Sequence, residues 1–213
     1  MRWLSLAGLL GAALLAGTLA LALDRERQST ASGSDQGPYR GSEAPARFEL
    51  PGFSLRNYDG RAVDAAEMRG RVVALTFLDS QCTDVCPILA SQIGGTIDRL
   101  TPAEREQVTA VAISTDPAED TPASVRAFLR KQGALGRLLY LRGPASEMRP
   151  LWSQFQILAS LESGEDTLHS APVRVYDRDG VWVATLHAGV DLNEANLLHD
   201  IRLALGAGDE SSR

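Results

Sequence analysis

The amino-acid sequence predicts an α/β protein with one mixed sheet that helices cover on both faces. Two observations support this fold class. Strand-like and helix-like segments alternate from about residue 48 to residue 206, and a β-rich run near each end of this region turns at an Asp-Gly pair. Alternating strands and helices favour a parallel sheet covered on both faces, and the Asp-Gly turns add antiparallel hairpins to it.

The first half of this region supplies a hairpin, two strands and two helices. The run FELPGFSLRNYDGRAV predicts a hairpin that turns at Asp59–Gly60, and the apolar run RVVALTFL predicts a buried central strand. Pro87 suits the first turn of the helix that follows, and VTAVAIS predicts a second buried strand. In DTPASVRAFLRKQG, Thr121 is the predicted N-cap and Gly133 the predicted C-cap of the second helix.

The second half continues the alternation and closes with a hairpin and a helix. The run RLLYLR predicts a third strand, and apolar residues at helical spacing predict a short helix over residues 146–156, with Pro150 near its start. The run VRVYDRDGVWVATLH predicts a hairpin that turns at Asp179–Gly180. The run DLNEANLLHDIRLALG predicts an N-capped amphipathic helix at the end of the domain.

The composition excludes several classes of protein. The chain of 213 residues has a formal net charge of −6, which argues against a nucleic-acid-binding surface. Hydrophobic residues make up 44% of it, enough for a packed core, which excludes a chain that is disordered throughout. It has only 2 cysteines, which excludes a disulfide-rich scaffold and a four-cysteine zinc site.

The N-terminus predicts a membrane anchor or a signal peptide. Residues 3–23 carry no charge, and as a helix they would span about 31 Å, close to the hydrocarbon thickness of a bilayer. Arg2 before this run favours an N-terminus on the inner side of the membrane. The small residues of Ala20–Ala22 favour the alternative of a cleaved signal peptide.

These patterns divide the chain into four parts and place it outside the cytoplasm. We expect the domain to face the periplasm from the bacterial inner membrane, or to be free in the periplasm if the N-terminal segment is cleaved. The predicted parts are an anchor or signal peptide over residues 1–23, a flexible tether over residues 24–47, the domain over residues 48–206 and a disordered tail over residues 207–213.

The two cysteines lie where α/β proteins commonly place functional groups. Cys82 is in the loop that leaves the predicted central strand, and Cys86 is at the start of the next helix. Sites gather at the carboxyl ends of strands, and a helix N-terminus lowers the pKa of a thiol. A thiolate is both a nucleophile and a metal ligand, so the pair predicts a redox site or a soft-metal site. The alternative is a structural disulfide, which would close a short loop and add little stability.

Copper(I) is the metal that best suits two thiolates, because it is a soft ion that binds few ligands. Three histidines are available as a further ligand. His169 lies in a polar loop directly before a strand, where ligands are commonly presented, whereas His187 ends a strand and His199 lies in the last helix. The spacing alone leaves the choice of His169 open.

Three blocks of sequence, CTDVCP, ISTDPAEDTPASVRAFL and HSAPVRVYDRDG, resemble the SCO/SenC proteins in this order over about residues 48–205. The resemblance implies a thioredoxin-like fold that binds copper and helps to assemble the dinuclear copper centre of cytochrome c oxidase. By match of motif, Cys82, Cys86 and His169 would be the copper ligands. Asp84 would hydrogen-bond near the ligands or tune the charge of the site, with an exposed loop acid as the alternative.

The resemblance also implies the partners of the chain. They are the copper-bearing subunit of cytochrome c oxidase, a copper donor protein or thiol reductase, and the membrane through the N-terminal segment. The chain departs from the commoner family pattern at LDSQ before the first cysteine, and at Leu168, where an aspartate commonly precedes the histidine. Neither departure removes a ligand, and the first adds Asp79 near the site.

Three other functions stay open at this point. A periplasmic thiol:disulfide oxidoreductase would use Cys82 and Cys86 as its redox pair and keep the cysteines of the oxidase or of other exported proteins reduced. A peroxidase of the peroxiredoxin type would need a proline where Asp79 stands. A copper sensor or buffer would need no delivery step. The sequence therefore favours a metallochaperone over an enzyme, without deciding between them.

Overall fold

The computed structural model describes residues 37–44, 47–157 and 172–210, with side chains up to residue 206. The strands are β1 (Ser42–Glu43), β2 (Ser54–Asn57), β3 (Ala62–Asp64), β4 (Val72–Leu78), β5 (Val108–Ser114), β6 (Leu139–Arg142), β7 (Pro172–Tyr176) and β8 (Trp182–His187). The helices are a 3-10 helix (Ala65–Met68), α1 (Val85–Arg99), α2 (Pro102–Arg105), α3 (Pro122–Lys131), α4 (Ala145–Gln154) and α5 (Glu194–Glu210). These residues all belong to one compact unit, residues 37–213.

One mixed sheet joins the described strands in the order β1-β8-β7-β4-β5-β6-β2-β3. The strands β4, β5 and β6 run parallel to one another, and β4 pairs with β7 in the antiparallel sense. Two hairpins, β2–β3 and β7–β8, complete the sheet. Parallel strands joined by helices, with an antiparallel hairpin at either side, are the mixed α/β arrangement that the sequence predicts.

The sheet is covered on both faces because alternate residues of the central strand point to opposite sides. All seven residues of β4 are buried. Its Val72, Ala74 and Leu78 belong to a core layer that includes apolar residues of α1, α3 and α5. Its Val73 and Phe77 belong to a second layer on the other face, where α4 packs. This double burial confirms that RVVALTFL forms a central strand.

The local signals for turns and helix ends are also confirmed. Gly60 and Gly180 have φ angles of +92° and +79°, as the two hairpin turns require. The Thr121 side chain accepts a hydrogen bond of 3.1 Å from the backbone N–H of Ser124 and caps α3, and Gly133 follows that helix with a φ of +69°.

The sheet begins earlier in the chain than the composition predicts. The strand β1 lies inside residues 24–47, which the sequence assigns to a flexible tether, yet it pairs with β8. The buried carboxylate of Asp200 in α5 accepts hydrogen bonds from the backbone N–H groups of Arg40 (2.7 Å) and Gly41 (2.9 Å). The prediction of a flexible tether is therefore wrong for residues 40–43. This segment is rich in small and polar residues, and its composition gives no signal for pairing with β8 or with Asp200.

The predicted C-terminal and N-terminal boundaries of the domain have different outcomes. The helix α5 continues to Glu210, so the disordered tail predicted over residues 207–213 is corrected for its first four residues, because adding a residue to an existing helix is easier than starting one. The predicted anchor or signal peptide, residues 1–23, lies outside the described residues. Among the residues that are described, no helix has the length and apolar character needed to cross a membrane.

The close approach of Gly41 to β8 gives a test of the early start of the sheet. A Cβ atom at Gly41 would lie 2.5 Å from the backbone oxygen of Thr185, whereas a Cβ at Gly52 would meet nothing within 4 Å. We expect Gly41→Ala to lower the free energy of unfolding by about 1–3 kcal/mol, because β1 must move away from β8. Gly52→Ala is the matched control. Equal stability of the two variants in urea unfolding would show that β1 is not fixed on the sheet.

Candidate functional site

The two cysteines meet at the carboxyl end of β4. Cys82 is in the loop that follows the strand and is half-buried, and Cys86 is the second residue of α1 and is 7% exposed. Both are free thiols. The Cys82 side chain lies close enough to that of Cys86 to raise the pKa of the Cys86 thiol, so the two side chains are neighbours. The structure therefore brings together the two residues that the sequence singled out first.

A tight turn holds the loop between β4 and Cys82. The Asp79 carboxylate accepts a hydrogen bond of 2.7 Å from the backbone N–H of Gln81, and the N–H of Cys82 donates to the Asp79 carbonyl oxygen (3.3 Å). Burial raises the pKa of Asp79, and the nearby carboxylates of Asp120 and Asp116 raise it further, against the hydrogen bonds that it accepts. Asp79 is thus part of the loop that presents the cysteines.

The two thiols differ in their environments. Burial raises the pKa of Cys86 well above its ordinary value, and the neighbouring Cys82 side chain and the charge of Asp79 raise it further. The backbone N–H of Asp79 acts in the opposite direction. The sequence predicts that the helix N-terminus lowers this pKa, and here burial outweighs that effect. Cys86 is therefore a protonated thiol at neutral pH until a metal ion or a partner displaces the proton.

Asp84 stands at the N-cap position of α1, between the cysteines. Its side chain is exposed and accepts no capping hydrogen bond. This environment matches an exposed loop acid, which was one of the two roles that the sequence left open. The predicted role beside the ligands remains a prediction.

The predicted third ligand, His169, lies outside the described residues. The chain returns to the described part at Pro172, the first residue of β7. The Pro172 carbonyl oxygen accepts a hydrogen bond of 2.9 Å from the buried Thr76 hydroxyl of β4. Pro172, three positions after His169 in the sequence, is therefore fixed beside the strand that leads to Cys82.

The other two histidines have different positions. His187 is half-buried at the end of β8, opposite Pro172 in the register of the sheet, so it lies on the same sheet edge as the cysteine loop. Its backbone N–H donates to the Asp191 carboxylate (2.5 Å). His199 is on α5, with its Nδ1 atom 3.0 Å from an Asp200 carboxylate oxygen. Within the described ranges, no three His, Cys, Asp or Glu residues form a group able to hold a metal ion.

A buried carboxylate, which the sequence did not single out, holds the cysteine loop from behind. Asp120 is 1% exposed and accepts hydrogen bonds from the Ser80 backbone N–H (2.8 Å) and the Ser114 hydroxyl (2.6 Å). The Tyr140 hydroxyl also lies 2.7 Å from this carboxylate. Burial raises the pKa of Tyr140, and the negative charge of Asp120 raises it further. Asp120 therefore ties the start of the cysteine loop to β5 and β6.

The only sequence signal for this network is the position of Asp120 directly before the N-cap Thr121. An aspartate before a helix commonly lies on the surface, and nothing in the local sequence predicts that this one is buried.

Comparison with known proteins agrees with this fold. The family model described as SCO1/SenC matches residues 42–205. The protein SCO1 homolog 2, mitochondrial, of Arabidopsis thaliana is 29% identical over 126 residues, which are 58% of this chain and 45% of that protein. Overall, the matches cover between 42% and 50% of the length of the curated relatives.

Two solved structures show the same fold. BsSco, described as a member of the Sco family of cytochrome c oxidase assembly proteins with a disulfide switch, superposes with a TM-score of 0.63 at 21% identity, over 76% of this chain and 96% of that chain. Yeast Sco1 with copper bound superposes with a TM-score of 0.61 at 18% identity, over 77% of this chain and 96% of that chain. At these identities the likeness establishes the fold.

The fold and the site define a thioredoxin-like protein, with a dithiol at the carboxyl end of its central strand. The family match covers more than half of the chain and includes both cysteines. The chain belongs to the SCO1/SenC family.

The difference between the two thiols is measurable by alkylation. In single-cysteine variants of the full chain, we expect Cys86 (in Cys82→Ser) to react with iodoacetamide at pH 8 at least about tenfold more slowly than Cys82 (in Cys86→Ser), because each unit by which the pKa rises lowers the thiolate fraction tenfold. Intact mass measured over time gives both rates. A rate for Cys86 equal to or above that of Cys82 contradicts the assigned environments.

The support from Asp120 predicts a loss of stability. Asp120→Ala leaves the Ser80 N–H and the hydroxyls of Ser114 and Tyr140 without their shared acceptor, so we expect the free energy of unfolding to fall by about 3 kcal/mol. The exposed Glu119→Ala is the matched control and should change it by no more than about 0.5 kcal/mol. Similar urea-unfolding curves for the two variants would mean that Asp120 does not hold the loop.

Proposed function

We propose that this chain is a copper chaperone. In this proposal it binds one copper ion through Cys82, Cys86 and His169 and delivers the ion to the copper-bearing subunit of cytochrome c oxidase. The single observation that supports it most is the pair of free, adjacent thiols at the end of β4, in a chain of the SCO1/SenC family. Copper-bound structures exist for family members from yeast and from Bradyrhizobium japonicum.

Two thiolates are the donors that a soft ion such as copper(I) prefers. Binding would release the protons of both thiols, and the metal would replace the proton that burial keeps on Cys86. A third donor would complete the coordination. The proposed third ligand, His169, precedes Pro172 by three positions in the sequence, and Pro172 lies at the sheet edge where the cysteines lie.

Delivery requires that a recipient protein reach the metal. Cys82 is the more exposed of the two thiols, so ligand exchange would begin there. Two large apolar side chains near this edge of the sheet are exposed. Ile88 lies in the first turn of α1 and is 41% exposed, and Val190 follows the end of β8 and is 65% exposed. Exposed apolar side chains near a transfer site suit a protein partner rather than a small molecule.

We further propose that the domain faces the periplasm and is tied to the bacterial inner membrane by residues 1–23. The copper donor, or a reductase that keeps the thiols reduced, would act in the same compartment. Oxidation of Cys82 and Cys86 to a disulfide would consume both thiolates and prevent copper binding.

A second function, thiol:disulfide oxidoreductase, is favoured by the unequal burial of the thiols. A half-buried Cys82 suits the attack on a partner disulfide, and a buried Cys86 suits the resolving step that releases the partner. The two functions differ in what the reduced protein does with copper, which the next experiment measures.

Metal binding tests the ligand set. We expect the reduced full chain in nonionic detergent to bind one copper(I) ion, Cys82→Ser to lose stoichiometric binding, and His169→Ala to bind at least about tenfold more weakly, because each variant removes a ligand. His199→Ala is the matched control and should bind as the wild type does. Copper content and competition with a copper(I) chelator give stoichiometry and affinity.

Two outcomes would contradict this assignment. Unchanged affinity of His169→Ala would remove His169 from the ligand set. A wild-type chain that retains no copper, yet rapidly reduces a protein disulfide, would replace the chaperone with the oxidoreductase.

Delivery has its own test in the cell. We expect deletion of the gene to lower cytochrome c oxidase activity, and added copper to restore it in part, because a chaperone raises the supply of a metal that can also reach its target unaided. Complementation with Cys82→Ser should fail and complementation with His199→Ala should succeed. Normal oxidase activity in the deletion strain would point to another recipient.

A further inference from the structure

A cavity of about 400 Å³ opens at the amino ends of the parallel strands, at the opposite end of the sheet from the cysteines. Its lining includes four arginines and two acidic residues: Arg61, Arg71, Arg105, Arg137, Asp59 and Glu67. The chain as a whole has a net charge of −6. The lining of this cavity has the opposite sign, because its arginines outnumber its acidic residues.

Two of the four arginines are neutralised by carboxylates. Arg61 pairs with Glu67 at 3.1 Å, and Arg137 pairs with Asp98 at 2.5 Å. These ion pairs leave little charge on Arg61 and Arg137 for a ligand.

The other two arginines, Arg71 and Arg105, have no carboxylate partner within the described part of the chain. One terminal nitrogen of Arg71 donates to the Val108 carbonyl oxygen (3.1 Å), and its buried Nε atom has no hydrogen-bond partner there. One terminal nitrogen of Arg105 donates to the carbonyl oxygens of Asp98 (3.3 Å) and Leu100 (3.4 Å) at the end of α1. Each guanidinium therefore keeps N–H groups that have no partner within the described residues, and these are the donors that a ligand can satisfy.

Arg71 and Arg105 also share a second, more open cavity of about 530 Å³, which Pro102 and the exposed Glu106 complete. The two guanidinium groups therefore line the same two spaces. Two positive charges near each other repel. An anion between the two guanidinium groups would attract both of them and offset this repulsion.

We propose that this arginine pocket binds a phosphate-bearing small molecule, with the phosphate between Arg71 and Arg105. The planar guanidinium matches phosphate oxygens in pairs, and two such groups balance the two negative charges of a phosphate monoester. The lining also includes the apolar side chains of Val63, Met68 and Leu138, and the cavity is larger than one phosphate ion. These apolar side chains and the volume suit an organic group attached to the phosphate.

The pocket is independent of the copper site. The strand β4 separates them, and its seven residues span about 23 Å. A ligand here would not touch the dithiol. The same phosphate chemistry is offered by a soluble phosphate ester and by a phospholipid headgroup, and the experiment separates these two sources.

Titration of the reduced full chain in nonionic detergent tests the pocket. The probes are glycerol 3-phosphate for the soluble source and dihexanoyl phosphatidic acid for the lipid source, both phosphate monoesters, with succinate as a dicarboxylate comparison. We expect one phosphate probe to bind saturably and to raise the unfolding temperature, and succinate to bind at least about tenfold more weakly. Whichever probe binds more tightly identifies the source.

Variants locate the binding. Arg71→Gln and Arg105→Gln should each weaken binding by about tenfold or more, because each removes a charged donor to the phosphate. Arg130→Gln removes the same charge from an exposed position on α3 outside the pocket and should leave binding unchanged. The far-UV circular dichroism spectra of the two pocket variants should equal that of the wild type, which shows that they are folded and keeps this test separate from that of the chaperone.

Three results would overturn the proposal. They are the absence of saturable binding for both phosphate probes, succinate binding as tightly as the phosphates, and an equal loss of binding in Arg130→Gln and Arg71→Gln.

Discussion

The enclosure of β4 is the constraint on which the rest of the structure depends. Its seven residues are buried, it hydrogen-bonds to parallel β5 on one side and to antiparallel β7 on the other, and its side chains enter both core layers. A strand enclosed in this way cannot shift by one residue without moving its side chains to the wrong faces. The loop after Leu78 therefore starts from a fixed point, and that loop contains Cys82.

Elements next to β4 hold the cysteine loop and the start of β7 in place at this point. Asp120 fastens the start of the cysteine loop from β5 and β6, and the bond from Thr76 to Pro172 fastens the beginning of β7 on the other side. The strand order β7-β4-β5 thus brings the dithiol and the chain segment that follows His169 to one edge. Burial then makes the thiols unequal, with a protonated Cys86 behind a more accessible Cys82, which suits both capture and release of a soft metal ion.

The features that the sequence predicted correctly are those with local causes. The Asp-Gly turns, the N-cap Thr121 and the unbroken apolar run of β4 each express their structure within a few residues. The features that it missed depend on distant partners. The strand β1 is held by Asp200, which is 160 residues from Arg40, and burial outweighs the helix-terminus effect on the pKa of Cys86. Motif resemblance gave the family, because three separate blocks in order are more specific than any one of them.

The coordination of copper in the loaded protein tests the central claim most directly. X-ray absorption at the copper edge, on the reduced full chain with one equivalent of copper(I), should show two sulfur neighbours and one imidazole nitrogen. The imidazole signal should vanish in His169→Ala and persist in His187→Ala, since His187 lies on the same sheet edge but is not a proposed ligand. A spectrum without sulfur neighbours, or an imidazole signal that survives in His169→Ala and is lost in His187→Ala, would contradict the account.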